Sequence, residues 1–172
     1  MQFRFAETLI RVTHPDARAV LAAVSARLAS GQGFALATIN LDHLVKLSRD
    51  AAFRAAYAAQ DLVVADGNPI VWLSWLARRP VRLVPGSDLV LPLVRAAAEA
   101  GRPVSFLGST DESLRAAAAR LERLVPGLRR GLLIAPPMGF DPGGVAAGEM
   151  LARLQALGVI GYGWGRLTRR RR

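Results

Sequence analysis

Short apolar runs alternate with longer helical stretches along most of this chain, and nearly every run ends in a glycine or a polar pair. Residues 3–5 and 9–12 read as a short hairpin or edge segment around Ala6-Glu7-Thr8. Pro15 suits the first turn of a helix that continues to residue 29 and stops at Gly31. Residues 34–38 form a compact apolar strand, followed by a helix from Asp42, capped by Asn40 or Asp42, and a further helical stretch from Asp50. Residues 62–65 give the next strand, residues 69–77 a helix, and Arg78-Arg79-Pro80 its end. A helix over 87–100 closes on Gly101. Strand 104–107 leads through Gly108 into helix 111–125, and strand 132–135 leads through Pro136-Pro137-Met138-Gly139-Phe140 into a helix over 145–157.

Strands alternating with helices of this length predict parallel βαβ units. No internal repeat or low-complexity linker divides residues 1–157. The expectation is a single α/β domain, a doubly wound, mostly parallel sheet with helices on both faces, Rossmann-like in outline. After Gly158 the next unit should open with a strand of about five apolar residues, yet Val159-Ile160 gives way to Gly161-Tyr162-Gly163-Trp164-Gly165 and an arginine run. This predicts a fold incomplete at its C-terminus, with residues 158–172 as an aberrant, disordered basic tail.

Open α/β sheets bind ligands in the crevice outside the carboxyl ends of their strands. Two polar signatures sit at such ends, Thr38-Ile39-Asn40 and Ala65-Asp66-Gly67. Asp66 is the first candidate for chemistry: Asp-Gly supplies a tight turn, and a carboxylate at a pocket rim also serves as a general base. Thr38 and Asn40 would set neutral hydrogen-bonding groups beside it, although Asn40 equally suits a helix cap. Gly86-Ser87-Asp88 opens a helix on the same face, with Ser87 as a plain N-cap. Arg82, close before it, either neutralises a phosphate or stays solvated. In Gly108-Ser109-Thr110-Asp111-Glu112, Ser109 and Glu112 make a capping box, and the same geometry offers backbone N–H groups to a diphosphate. His43 reads as helix surface or pocket rim, and Trp72, Trp75 and Phe53 as core. The chain has neither the Gly-x-Gly-x-x-Gly of dinucleotide folds nor a phosphate loop ending in Gly-Lys-Ser/Thr, which removes support for ATP hydrolysis. None of Ser87, Ser105 and Ser109 has a histidine at a suggestive position, so a serine hydrolase is a poor fit.

Composition narrows the classes further. The absence of cysteine excludes disulfides, thiolate metal sites and a cysteine nucleophile, and His14 and His43 are too few for a histidine-rich metal centre. The N-terminus lacks a signal peptide's zones, and no apolar run approaches the ~18 residues that span a bilayer, so a cytoplasmic protein is expected. The net charge of +10 invites a nucleic-acid reading, but half of it comes from Arg166 and Arg169 to Arg172. No aromatic residues interleave with those arginines as in a nucleic-acid reader, so that reading ranks last.

The order and spacing of Ala37-Thr38-Ile39-Asn40, Asp61-Leu62-Val63-Val64-Ala65-Asp66-Gly67 and Gly86-Ser87-Asp88-Leu89 resemble the WecG/TagA/CpsF family of bacterial glycosyltransferases. Phe106-Leu107-Gly108, Pro126-Gly127-Leu128 and Pro136-Pro137-Met138-Gly139-Phe140 extend the likeness over residues 5–157, and Asn68-Pro69 looks closer to the exopolysaccharide branch. The resemblance implies inverting transfer of a sugar, N-acetylmannosamine-type or glucose, from a UDP-sugar donor to an acceptor linked to undecaprenyl diphosphate. It implies no cofactor and no required metal, and a place at the inner face of the plasma membrane. Asp66 would be the general base. Thr38, Asn40, Gly67, Asn68, Arg82, Gly86, Ser87 and Asp88 would line the substrate site, and Gly108 and Ser109 would lie near the nucleotide. A homo-oligomer is also compatible with the resemblance. Two departures stand out. Family members often carry Glu-Arg-Val-x-Gly, where this chain has Arg82-Leu83-Val84-Pro85-Gly86, its arginine one position early. The family also continues into a strand bearing Gly-x-Gly-x-Pro-x-Gln-Glu and a membrane-engaging appendage, neither of which follows residue 157 here. The expectation is therefore a truncated transferase, with a UDP-binding domain without turnover as the alternative.

Overall fold

The computed structural model describes residues 1–108, 110–141 and 144–156. The basic tail expected over 158–172 lies outside these residues. The chain opens with an antiparallel hairpin of β1 (Gln2–Phe5) and β2 (Thr8–Arg11), turned through Ala6 at positive φ. Helix α1 (Ala17–Ser30) follows. It starts two residues after Pro15, because the Asp16 side chain accepts the Ala19 N–H at 2.8 Å and so fixes the N-terminus. Gly31, in the left-handed region, closes it by donating to the Arg27 and Leu28 carbonyls. Pro15 instead presents its carbonyl to the Arg82 N–H.

Next come β3 (Leu36–Ile39), α2 (Leu41–Arg49), α3 (Ala51–Ala58), β4 (Leu62–Ala65) and α4 (Asn68–Leu76). Strands β3 and β4 pair in parallel, with Thr38 opposite Val64 and Ile39 opposite Ala65. Helix α5 (Gly86–Glu99) leads to β5 (Val104–Leu107), α6 (Asp111–Leu124), β6 (Arg130–Ile134) and α7 (Val145–Ala156). Strands β5 and β6 form a second parallel pair.

Alternation along β3 and β4 builds a layer on each face of the sheet. Leu36, Leu62 and Val64 pack against Val20, Val24 and Leu28 of α1 and Leu89 of α5. Val20, Val24 and Leu28 recur at four-residue spacing, which puts them on one helical face. Ile39, Val63 and Ala65 point the other way, into Ile10, Val12, Leu47, Tyr57 and Ile70. Helices thus cover both faces of a parallel α/β core, as the strand-helix alternation predicts. The sheet itself is cut into two-stranded ladders among the described residues. On the side of β4 away from β3, Val63 exchanges hydrogen bonds with Thr13, and the Val84 N–H donates to the Ala65 carbonyl at 2.7 Å. Irregular segments therefore take the place of a regular neighbouring strand.

Three local expectations change. Helix α6 is capped by Thr110, whose hydroxyl oxygen accepts the Ser113 N–H at 3.2 Å, so the Ser109–Glu112 box is displaced by one residue. Helix α5 starts at Gly86, one residue ahead of the Ser87 cap, and Ser87 Oγ donates instead to Asp88 Oδ1. Trp72 and Trp75 are 59% and 61% exposed rather than core, whereas Phe53 does pack against the inner cluster. Ile70, Val71 and Ser74 are the residues of α4 that turn inward, leaving both tryptophans on its outer face.

Candidate active site

The carboxyl ends of β3 and β4 lie side by side because the strands are parallel and in register. Each is followed by a polar residue on the way into the next helix. After Ile39, the Asn40 side chain accepts the His43 N–H at 2.9 Å and caps α2, so the capping role open for Asn40 is the one its side chain fills. After Ala65, the Asp66 N–H donates to the Ile39 carbonyl at 2.8 Å and ties the two strand ends together. Gly67 then turns into α4 at φ 112°, and a Cβ there would lie 3.9 Å from Asn40 Cβ. Asn40 and the Asp66–Gly67 turn are thus neighbours in space.

Asp66 is half-buried, and its side chain reaches toward a third element. Its Oδ2 accepts the Gly86 N–H at 3.3 Å, at the first residue of α5. Pro85, at the N-cap of α5, makes no side-chain cap hydrogen bond. A carboxylate from β4 therefore supplies what the helix's own sequence does not, and it sits at the positive end of the α5 dipole. Ser87 and Asp88 follow on the exposed first turn.

Beneath Asn40 lies a buried polar cluster that sequence reasoning missed. His43 is 5% exposed, which corrects the reading of it as helix surface or pocket rim. Its Nδ1 lies 3.1 Å from the Thr38 carbonyl and 2.6 Å from the Tyr57 hydroxyl, and that hydroxyl also donates to the Thr38 carbonyl. A carbonyl only accepts, so Nδ1 carries the proton of the neutral imidazole. The Thr38 carbonyl points away from β4, and His43 and Tyr57 satisfy the outer edge of β3. Burial pushes the His43 pKa down and Lys46 adds to this, while the Thr38 hydrogen bond and the Asp66 and Asp42 carboxylates oppose it. Phe53 stands edge-on to the imidazole at 5.8 Å, with the Lys46 ammonium 4.6 Å above its own ring. A signal for His43 existed in the sequence: it is four residues before Leu47, and both lie on the buried face of α2.

The remaining candidates fall into two groups. Asn68 is the exposed first residue of α4, directly after the Asp66–Gly67 turn. Arg82 is exposed, with its main chain held by Pro15 at 2.7 Å. Gly108 belongs to the separate β5–β6 ladder, where its N–H donates to the Ile134 carbonyl at 3.0 Å. That amide serves the ladder. The space beside Gly108 is open, with nothing within 4 Å of a Cβ built there. Ser109 lies outside the described residues.

A cleft lined by Arg95, Glu99, Leu124 and Pro126 lies between the carboxyl halves of α5 and α6. In a βαβ layer, helices end where strands begin, so this cleft is at the opposite end of the sheet from Asp66. The carboxyl ends of β3 and β4 instead gather Asn40, Asp66, Gly67 and Gly86. Their chemistry is that of one half-buried carboxylate among neutral donors and acceptors, able to take a proton from a hydroxyl positioned beside it.

A model of the glycosyl transferase WecG/TagA/CpsF family matches residues 7–160. No curated protein matches the chain.

Proposed function

The chain belongs to the WecG/TagA/CpsF family of glycosyltransferases, which act in cell-wall and polysaccharide synthesis, and on that premise we propose inverting sugar transfer from a UDP-sugar to an undecaprenyl-diphosphate-linked acceptor. The carrying observation is the Asp66 carboxylate at the end of β4, held against the first N–H of α5 beside Asn40 and Gly67. Asp66 removes the proton from the acceptor hydroxyl as that oxygen attacks the anomeric carbon. The bond from that carbon to the UDP oxygen breaks, and the configuration inverts. UDP leaves with the electron pair of that bond.

The other candidates divide between the two substrates. Thr38, Asn40, Gly67 and Asn68 border the acceptor side. Gly86, Ser87 and Asp88 border the reacting centre at the head of α5, with Arg82 nearby as a cation. Gly108 and Ser109 fall to the nucleotide, in keeping with the family membership. The acceptor's lipid anchor implies work at the inner face of the plasma membrane by a protein attached peripherally. No helix among the described residues is long and apolar enough to cross a membrane.

The test is transfer from labelled UDP-N-acetylmannosamine and UDP-glucose to a diphosphate-linked sugar acceptor. Asp66→Asn should lower turnover by ~10²- to 10⁴-fold, the usual contribution of a general base, while UDP affinity stays within a few-fold. Wild-type turnover by Asp66→Asn would remove Asp66 as the base. UDP affinity without product from any acceptor would replace transfer with nucleotide binding.

A further inference from the structure

Helix α4 is mostly apolar, and Ile70, Val71 and Ser74 are buried inward. Its outer face is also apolar: Trp72, Leu73, Trp75 and Leu76 are exposed, Leu76 at 82%. Soluble proteins seldom leave such a contiguous aromatic and aliphatic face open, and where they do it marks a contact site. The helix ends directly in exposed Arg78 and Arg79. From residue 67 to 87 the chain has no acidic residue and three arginines. We infer that the outer face of α4 docks on an anionic lipid surface, with Trp72 and Trp75 in the interfacial layer and Arg78 and Arg79 on the lipid headgroups.

The charge pattern favours lipid over a second copy of the chain. A two-fold contact through this face would offer Arg78 and Arg79 no carboxylate from the partner's 67–87 segment to pair with. An anionic bilayer supplies the complementary charge and apolar depth together. Indole rings favour the boundary between headgroups and acyl chains, and arginine stems reach up to the phosphates. Position adds to the case. Helix α4 begins two residues after Asp66 and, at nine residues, is about 14 Å long. Docking it on the surface holds the candidate base within reach of an acceptor whose lipid is embedded there. This last step rests on the transfer reading, whereas the docking itself does not.

The test uses the full chain carrying Trp164→Phe, so that the two remaining tryptophans, Trp72 and Trp75, report. Vesicles of phosphatidylcholine, with and without phosphatidylglycerol and with brominated acyl chains, are titrated against tryptophan emission. The expected result is a blue shift and bromolipid quenching that require phosphatidylglycerol. Arg78→Glu with Arg79→Glu should weaken partitioning at least about tenfold, given the attraction of each arginine to an anionic surface. Leu76→Glu, at a solvent-facing position that leaves the core intact, should abolish quenching. Quenching is the readout because the five arginines at positions 166 and 169–172 would also bring the chain to anionic vesicles. Vesicle-bound protein with unquenched tryptophans would overturn the inference, as would no binding at all. It would also fall if the chain dimerised without lipid and Leu76→Glu abolished that dimer. Transfer to a short-chain, water-soluble acceptor, measured on the same preparations, separates the two readings. Transfer without quenching removes only the docking surface, and quenching without transfer removes only the activity.

Discussion

In the proposed reaction Asp66 has two separable roles, and two substitutions distinguish them. Its Oδ2 accepts the Gly86 N–H at 3.3 Å, longer than a strong N–H···O bond. Side-chain caps contribute ~0.5–2 kcal/mol, and this long, half-buried one belongs in the lower half of that range. Its charge at the head of the 14-residue α5 adds ~0.3–1 kcal/mol through the helix dipole. Asp66→Ala loses both and should destabilise the fold by about 1–2 kcal/mol. Asp66→Asn keeps an oxygen acceptor, loses only the charge, and should cost about 0.3–1 kcal/mol. In a chain of this size each kcal/mol moves the melting midpoint by ~2–4 °C. Urea unfolding followed by helical circular dichroism resolves the difference, provided the denaturant slopes agree. Transfer should fall equally in both variants, because neither can accept the hydroxyl proton. Removing the carboxylate also removes a charge that raises the His43 pKa, so Asp66→Asn should lower the imidazole titration seen by NMR. Equal destabilisation by alanine and asparagine would refute the capping share, an asparagine variant as stable as the wild type would refute the helix-dipole share, and an unchanged alanine variant would refute both.

Three further outcomes follow from the same structure. Gly131→Ala would put its Cβ onto Ser105 Oγ and 3.3 Å from the Val104 carbonyl, so it should cost ~1–3 kcal/mol in urea unfolding, partly relieved by adding Ser105→Ala. Gly67→Ala must hold φ 112° with a side chain, so it should cost ~1–3 kcal/mol of backbone strain and lower transfer by moving Asp66; a variant as stable and active as the wild type would contradict this. His43 and His14 both have pKa values pushed below the ordinary 6.5, chiefly by burial, so the unfolded chain binds more protons. Their stabilisation is therefore present above pH 6.5 and lost as pH falls through the folded-state values; the urea midpoint should drop on acidification, less steeply in His43→Gln, and a rising midpoint would contradict the sign.

Much of the molecule was legible in its sequence, because the signals involved are local. Strands 62–65 and 104–107 were bounded correctly, since their apolar runs are short and end in polar residues or glycine. The alternation of strands with helices gave the parallel α/β class, and the order of motifs gave the family. Helix starts were less legible: Asp16 set the start of α1 after Pro15, which the sequence puts in the first turn, and Thr110 took the cap from Ser109, each through the side chain that reached the helix N–H.

What only the tertiary structure decided depends on elements far apart in the chain. Asp66 caps a helix that starts twenty residues later, which no local pattern in either segment encodes. His43 is buried because α3 brings the Tyr57 hydroxyl to the same carbonyl at the outer edge of β3. The tryptophans of α4 lie outside because residues 69–76 are apolar but for Ser74, itself buried, which gives periodicity no polar outer side to read; the strands the helix packs against choose its inward face.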